Sequence, residues 1–201
     1  MAPRFVAQQL SHPAGILGFV IRHLMNRSNA RLNAFALNKL DASLGDRVLE
    51  VGFGGGLLLP QLVERASLVC GLDRSAQVVG AASARFAQAV RDGRAEFHEG
   101  AVESLPFADG RFNKAISINT VYFWKSLEAG FAELHRVMSP GGRIVIGFLP
   151  KEFMDRMNMP KDIFTSRTPE DVCEAMAKAR FRDVRIEQGA GVKWRVAVAT
   201  K

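Results

Sequence analysis

The chain has 201 residues, 48% of them hydrophobic, with 27 basic and 20 acidic side chains and a formal net charge of +7. That length and apolar content suit one α/β unit able to bury its own core, and only two cysteines, Cys70 and Cys173, exclude a disulfide framework or a zinc cage as its support. The basic balance favours anionic partners without naming one.

The first 40 residues carry Arg4, Arg22, Arg27, Arg31 and Lys39 and no acid. Their apolar run, 14–21, stops at Arg22 and His23, well short of the roughly 20 residues a membrane span needs. No small-residue cleavage site follows it, so a signal peptide is not expected and the protein is placed in the cytoplasm. Helical spacing predicts helices over 13–26 and 29–40, the second with Leu32, Phe35, Ala36 and Leu40 on one face. Ile16, Phe19, Val20 and Leu24 form an apolar stripe beside Arg22 and Arg27, the pattern of a lid or of a segment that touches anionic membrane. Residues 1–44 are accordingly read as a helical lid or cap on a main domain of 45–201.

From Asp46 onward short β-branched runs alternate with helical stretches, the pattern of βαβ units and a parallel sheet. Strands are predicted at 47–51, 68–72, 95–98, 114–118, 143–148, 184–187 and 192–199. Between them, Val78, Val79, Ala82, Phe86 and Val90 share a helical stripe, as do Leu127, Phe131, Leu134 and Met138, and Val172, Ala175, Met176 and Ala179. The short link around Gly189 and Gly191 cannot make a parallel crossover, so the last strand is reversed. The expected fold is a doubly wound, Rossmann-like, seven-stranded, mostly parallel sheet with N-terminal helices.

The segment VLEVGFGGG, 48–56, is a strand running into a glycine turn and then a helix predicted to begin near Leu57. Glycines let a backbone take positive φ and come close to a ligand. The spacing is G-x-G-x-G, not the G-x-G-x-x-G of dinucleotide binders, and Glu50 stands before it, where a pyrophosphate would be repelled and an ammonium group welcomed. Asp73 closes the second strand, where an acid grips ribose hydroxyls in such sheets.

With those residues in place the chain resembles the class I S-adenosylmethionine-dependent methyltransferases over about 46–201. VLEVGFGGG is similar to the family's first motif, VCGLDRS to its second, HEGAVESLPF to the loop beside adenine, RFNKAISINTVYFW to the strand beside the methyl group, and ELHRVMSPGGRIVIGF to the helix, turn and strand that follow. The resemblance implies S-adenosylmethionine as cofactor, leaving S-adenosylhomocysteine, with no metal. It implies Glu50, Gly52, Gly54 and Gly56 at the methionine end, Asp73 at the ribose, and Ala101 and Val102 at the adenine. Ala101 stands where the family usually has an acid, and Asn113 and Lys114 precede the fourth strand where relatives often place one. Phe53 and Arg74 flank the expected cofactor edges, Arg74 being equally a solvated residue at a helix start.

The fourth-strand tip offers Asn119 to the cofactor and Tyr122 to the acceptor, with Thr120 behind them and Phe123 and Trp124 as packing. In related enzymes the N-terminal segment often closes over the acceptor, which nominates His23. A sulfonium-bound methyl needs alignment more than a general base, and none is assigned. The implied function is methyl transfer by in-line displacement to a small-molecule or lipid-like acceptor, with peripheral contact to anionic membrane as a variant and nucleic acid disfavoured. The alternatives are a non-catalytic binder of the same cofactor and a nicotinamide-dependent oxidoreductase.

Overall fold

The computed structural model describes residues 30–157 and 159–201. In chain order the elements are α1 (Ala30–Leu40), β1 (Arg47–Val51), α2 (Leu59–Arg65), β2 (Leu68–Asp73), α3 (Ala76–Arg85), α4 (Ala87–Arg91), β3 (Ala95–Glu99), β4 (Phe112–Ile118), a 3₁₀ turn (Val121–Phe123), α5 (Leu127–Val137), β5 (Met138–Phe148), α6 (Lys151–Met154), a second 3₁₀ turn (Asp155–Met157), α7 (Pro169–Lys178), β6 (Arg182–Glu187) and β7 (Arg195–Thr200). The helix predicted over 13–26 lies outside the described residues.

The seven strands form one sheet in the order β3-β2-β1-β4-β5-β7-β6. Strands β1 to β5 pair in parallel, and β7 is antiparallel to both β5 and β6. The reversed strand is thus last in sequence but next to last in space, and β6 takes the edge. One face of the sheet buries Leu49, Leu72, Ala115 and Ile146 against Phe131 and Leu134 of α5 and Val172 and Met176 of α7. The other buries Val48, Val69, Ile116 and Val145 against α1, α2 and α3. Of α1, Leu32, Ala36, Leu37 and Leu40 are buried.

Several boundaries differ from the sequence expectation for local reasons. The turn runs on past Leu57 and α2 begins at Leu59, because Pro60 has no N–H and its fixed φ suits only a first helical turn. The stripe read as one helix over 78–90 breaks at Phe86, whose ring packs on Phe97 at 5.9 Å. The break turns Val90 outward, 38% exposed, and buries Ala89 instead. Met138 begins β5 and pairs with Phe112 of β4. Strand β7 starts at Arg195, since Gly191 at φ +67° and a Gln188 side-chain contact to the Val192 carbonyl hold 188–192 in a turn.

Asn113 and Lys114 are structural. The Asn113 amide donates to Asp46 (2.7 Å) and its carbonyl accepts from Arg47 N–H (2.8 Å). Lys114 Nζ donates to the Leu40 and Asp41 carbonyls at the end of α1, a cation where orphan carbonyls need donors.

Candidate functional site

Four parallel strands end together at the crevice where the strand order reverses, which is where doubly wound sheets bind ligands. The glycine turn leaves β1 there with Gly52, Gly54 and Gly56 at φ +70°, +49° and +63°. These angles explain the alternate glycines, since L-residues with a Cβ resist this region. The turn is closed by Gly52 N–H to the Leu72 carbonyl and Gly56 N–H to that of Phe53, both 2.7 Å.

The three glycines serve different neighbours. A Cβ on Gly52 would strike the Thr120 methyl, and one on Gly56 would lie 2.9 Å from Leu59. At Gly54 no atom of the described residues lies within 4 Å of that position. The first two glycines therefore allow protein to pack on protein, while Gly54 presents bare backbone to the crevice.

Asp73 lies across the turn. One carboxylate oxygen accepts Gly54 N–H at 2.8 Å and the other accepts Ser75 N–H at 3.1 Å. The register pairs Glu50 with Gly71, two residues before Asp73, so the pleat puts both acids on one face of the sheet. Glu50 is 5% exposed, and its Oε2 meets no hydrogen-bond partner among the described residues. Burial, with the Asp73 carboxylate adding to it, pushes the Glu50 carboxyl up to about 8.

Arg74 does not extend into solvent. Its guanidinium donates to the Phe123 carbonyl at 2.9 Å and pairs with Glu103 at 3.4 Å. Glu103 also accepts Lys125 N–H at 2.6 Å, so one ion pair ties the end of β2 to the loops after β3 and β4. Ala101 opens the loop after β3, its carbonyl accepting Ser104 N–H at 3.1 Å. The Val102 side chain is core, 3% exposed. The Phe53 ring also turns inward, onto Phe97 at 5.6 Å and over Gly71, where a Cβ would lie 2.8 Å from it. The ring fills the space that Gly71 leaves, and so it faces away from the open side of the turn.

Beyond β4, Asn119 adopts φ +56°, its N–H bonded to the Gly147 carbonyl at 2.7 Å. Tyr122 is 3% exposed. Its hydroxyl accepts Leu149 N–H and lies 3.2 Å from Asn119 Oδ1 and 3.3 Å from the Leu149 carbonyl, where it can donate. Burial raises its phenol above the ordinary range, so the hydroxyl braces the loop and is no base. Thr120, a lesser candidate in the sequence, is a hub. Trp124 Nε1 donates to its hydroxyl at 3.1 Å, that hydroxyl meets Ser117 Oγ, and Ser117 donates to the Val51 carbonyl at 2.8 Å. Nothing local in the sequence signals this chain, since its members come from β1, β4 and the following loop. His98 and His135 sit against Phe107 and Phe181, and His23 lies outside the described residues.

The arrangement offers bare backbone at one turn, a carboxylate pair on one sheet face and a braced loop opposite. That set can hold a ligand with a cationic end and a hydroxylated ring. Among the described residues no group of three or more His, Cys, Asp or Glu could hold a metal, and no helix is long and apolar enough to cross a membrane.

A family model described as a methyltransferase domain matches residues 49–146. The methyltransferase YdaC of Bacillus subtilis is 30% identical over 132 residues, which are 65% of this chain and 71% of that protein. The chloroplastic 2-methyl-6-phytyl-1,4-hydroquinone methyltransferase 2 of Oryza sativa is 30% identical over 158 residues, 74% of this chain and 42% of that one. The crystal structure of an S-adenosylmethionine-dependent methyltransferase from Mesorhizobium loti shares the fold, with a TM-score of 0.73 at 18% identity, covering 84% of this chain and 96% of that one.

Proposed function

The chain belongs to the S-adenosylmethionine-dependent methyltransferases, and on that premise we propose that it methylates a small-molecule or lipid-like acceptor from the crevice described above. The observation that carries the reading is the pair of acids over the glycine turn. Glu50 presents a buried carboxylate oxygen with no partner among the described residues, and Gly54 beside it leaves its backbone uncovered. An ammonium group at Glu50 would supply the missing partner, and Asp73, oriented by the Gly54 and Ser75 amides at the end of β2, stands where ribose hydroxyls are gripped in such sheets.

In this reading Glu50, Gly52, Gly54 and Gly56 hold the methionine end, Asp73 the ribose, and the Ala101–Val102 backbone the adenine, with Arg74 fastening the loops around it. Phe53 contributes the backbone of the turn, and Asn119 flanks the cofactor from β4. S-adenosylmethionine supplies an already activated methyl group, which leaves the protein to orient the partners and exclude water. Phe123, Leu149, Met159 and Ile163, partly buried around Tyr122 and Phe164, provide apolar surface for the acceptor. The rice relative's name, a methyltransferase of a phytyl hydroquinone, supports an acceptor of that lipid-like kind.

Residues 1–44 are proposed as the cap. Since α1 is built into the core, the part able to act as a lid precedes Ala30, and it carries His23 as a proposed acceptor contact. Its basic and apolar residues suit contact with an anionic membrane surface. The test is a screen of candidate acceptors, quinols and lipid extracts included, with labelled S-adenosylmethionine. Transfer of label to an organic-soluble product is expected. Binding of S-adenosylhomocysteine without transfer to any acceptor would favour the non-catalytic binder, and absence of that binding would overturn the reading.

A further inference from the structure

Glu50 holds more than its place in the proposed cofactor site requires. It is the next-to-last residue of β1, on the sheet face whose buried side chains include Val48, Val69, Ile116, Val145 and the Phe53 ring. A lone carboxylate in such a layer loses its hydration, and ionisation is opposed unless a cation or several donors replace the water.

Among the described residues the groups around it supply neither. From β2 the facing charge is Asp73, another acid. From β4 the flanking side chains are Ile116 and Ile118, while the Ser117 hydroxyl is spent on the Val51 carbonyl. From α1 the buried polar group is Asn33, which is neutral; Arg31 is exposed and Lys39 is paired with Glu187. Arg85 of α3 reaches toward Gly56, and Arg74 is turned to Phe123 and Glu103.

Resting on the reading of this crevice as the cofactor site, we propose that Glu50 is a proton-exchange site: it holds a proton in the free protein and releases it to solvent when the ligand's ammonium group arrives. Capture of the cofactor is thereby coupled to pH. The proton leaves Glu50, the carboxylate pairs with the incoming cation, and no other bond changes. The carboxyl titrates near 8 in the free site, so the anionic form that a cation needs is the minor one below that pH and the major one above it. Affinity is therefore lost as pH falls. If pairing draws the carboxyl far below 6, linkage makes the Kd fall by up to about tenfold per pH unit from pH 6 towards 8 and level off above.

The experiment is calorimetric titration of the full chain with S-adenosylhomocysteine at pH 7, in buffers of differing ionisation heat, for the parent and Glu50→Gln. The ligand's own amine contributes equally to both proteins, so the difference reads Glu50. The expected difference is release of most of one proton per ligand by the parent and not by Glu50→Gln. Asp73→Asn, which leaves the buried carboxyl in place, should bind more weakly yet keep most of the release. Equal proton release by parent and Glu50→Gln, or a parent Kd flat between pH 6 and 8, overturns the proposal while leaving the cofactor site standing. Failure of the parent to bind S-adenosylhomocysteine at all overturns the site reading itself.

Discussion

Replacing Gly54 with alanine separates a glycine kept for a ligand from one kept for folding. Gly54 is at φ +49°, where a Cβ costs about 1–2 kcal/mol; the stiffer unfolded chain returns about 0.4–1 kcal/mol of that. No atom of the described residues lies within 4 Å of the new methyl, so no packing loss is added. The net of about 1 kcal/mol corresponds to a fall in Tm of roughly 2–4 °C for a chain of this size. Gly52→Ala carries the same backbone strain and also drives its methyl into Thr120, whose Cβ lies 3.2 Å from the built position. Overpacking of that kind adds about 1–3 kcal/mol, so its Tm should fall several times further. Ligand affinity should show the opposite emphasis. A methyl inserted where the cofactor rests on bare backbone costs about 1–3 kcal/mol of contact, or roughly a 5- to 150-fold loss of S-adenosylhomocysteine affinity for Gly54→Ala. Thermal melts and calorimetry on both variants measure the two quantities. Affinity of Gly54→Ala within twofold of the parent would refute the assignment, because the open face would then not be where the ligand lies.

Asp73→Ala removes a charged acceptor worth about 1.5–3 kcal/mol and should weaken S-adenosylhomocysteine binding roughly 10- to 150-fold, a change under twofold contradicting the ribose role. Tyr122→Phe strands the part-buried Leu149 N–H and should lower stability by about 1 kcal/mol in chemical denaturation; unchanged stability would show that the hydroxyl does not brace the loop. Deleting residues 1–28 should preserve much of the cofactor binding, because the motif residues begin at Val48, and should abolish transfer to the acceptor found by screening. Equal turnover would sink the lid. Liposome sedimentation then tests the membrane variant, which requires binding that rises with anionic lipid and falls with salt.

Much of the site was legible in the chain because its requirements are local. A backbone that must take positive φ at Gly52, Gly54 and Gly56 announces itself as alternate glycines, and an acid closing a strand announces itself by position. The βαβ alternation and the short link before β7 are likewise properties of spacing, and they sufficed for a mostly parallel seven-stranded sheet with its last strand reversed. Side chains whose role depends on what they meet were less legible. Arg74 reads as a solvated charge until the Phe123 carbonyl and Glu103 are placed beside it. Phe53 reads as flanking a cofactor edge until Gly71 leaves room for its ring on the inner side, against Phe97, and Lys114 as a departure from the usual acid until the end of α1 comes within its reach.

The sequence by itself therefore determined the order of elements, the glycine turn and the acids around it, since these follow from backbone conformation and from periods of two and 3.6 residues. Only the tertiary structure decided that β7 enters between β5 and β6, that Gly52 packs on Thr120 while Gly54 stays bare, and that Glu50 shares a sheet face with Asp73. Register, burial and close approach are relations between segments far apart in the chain. They are settled by which surfaces exclude water from one another, and no stretch of sequence carries that information alone.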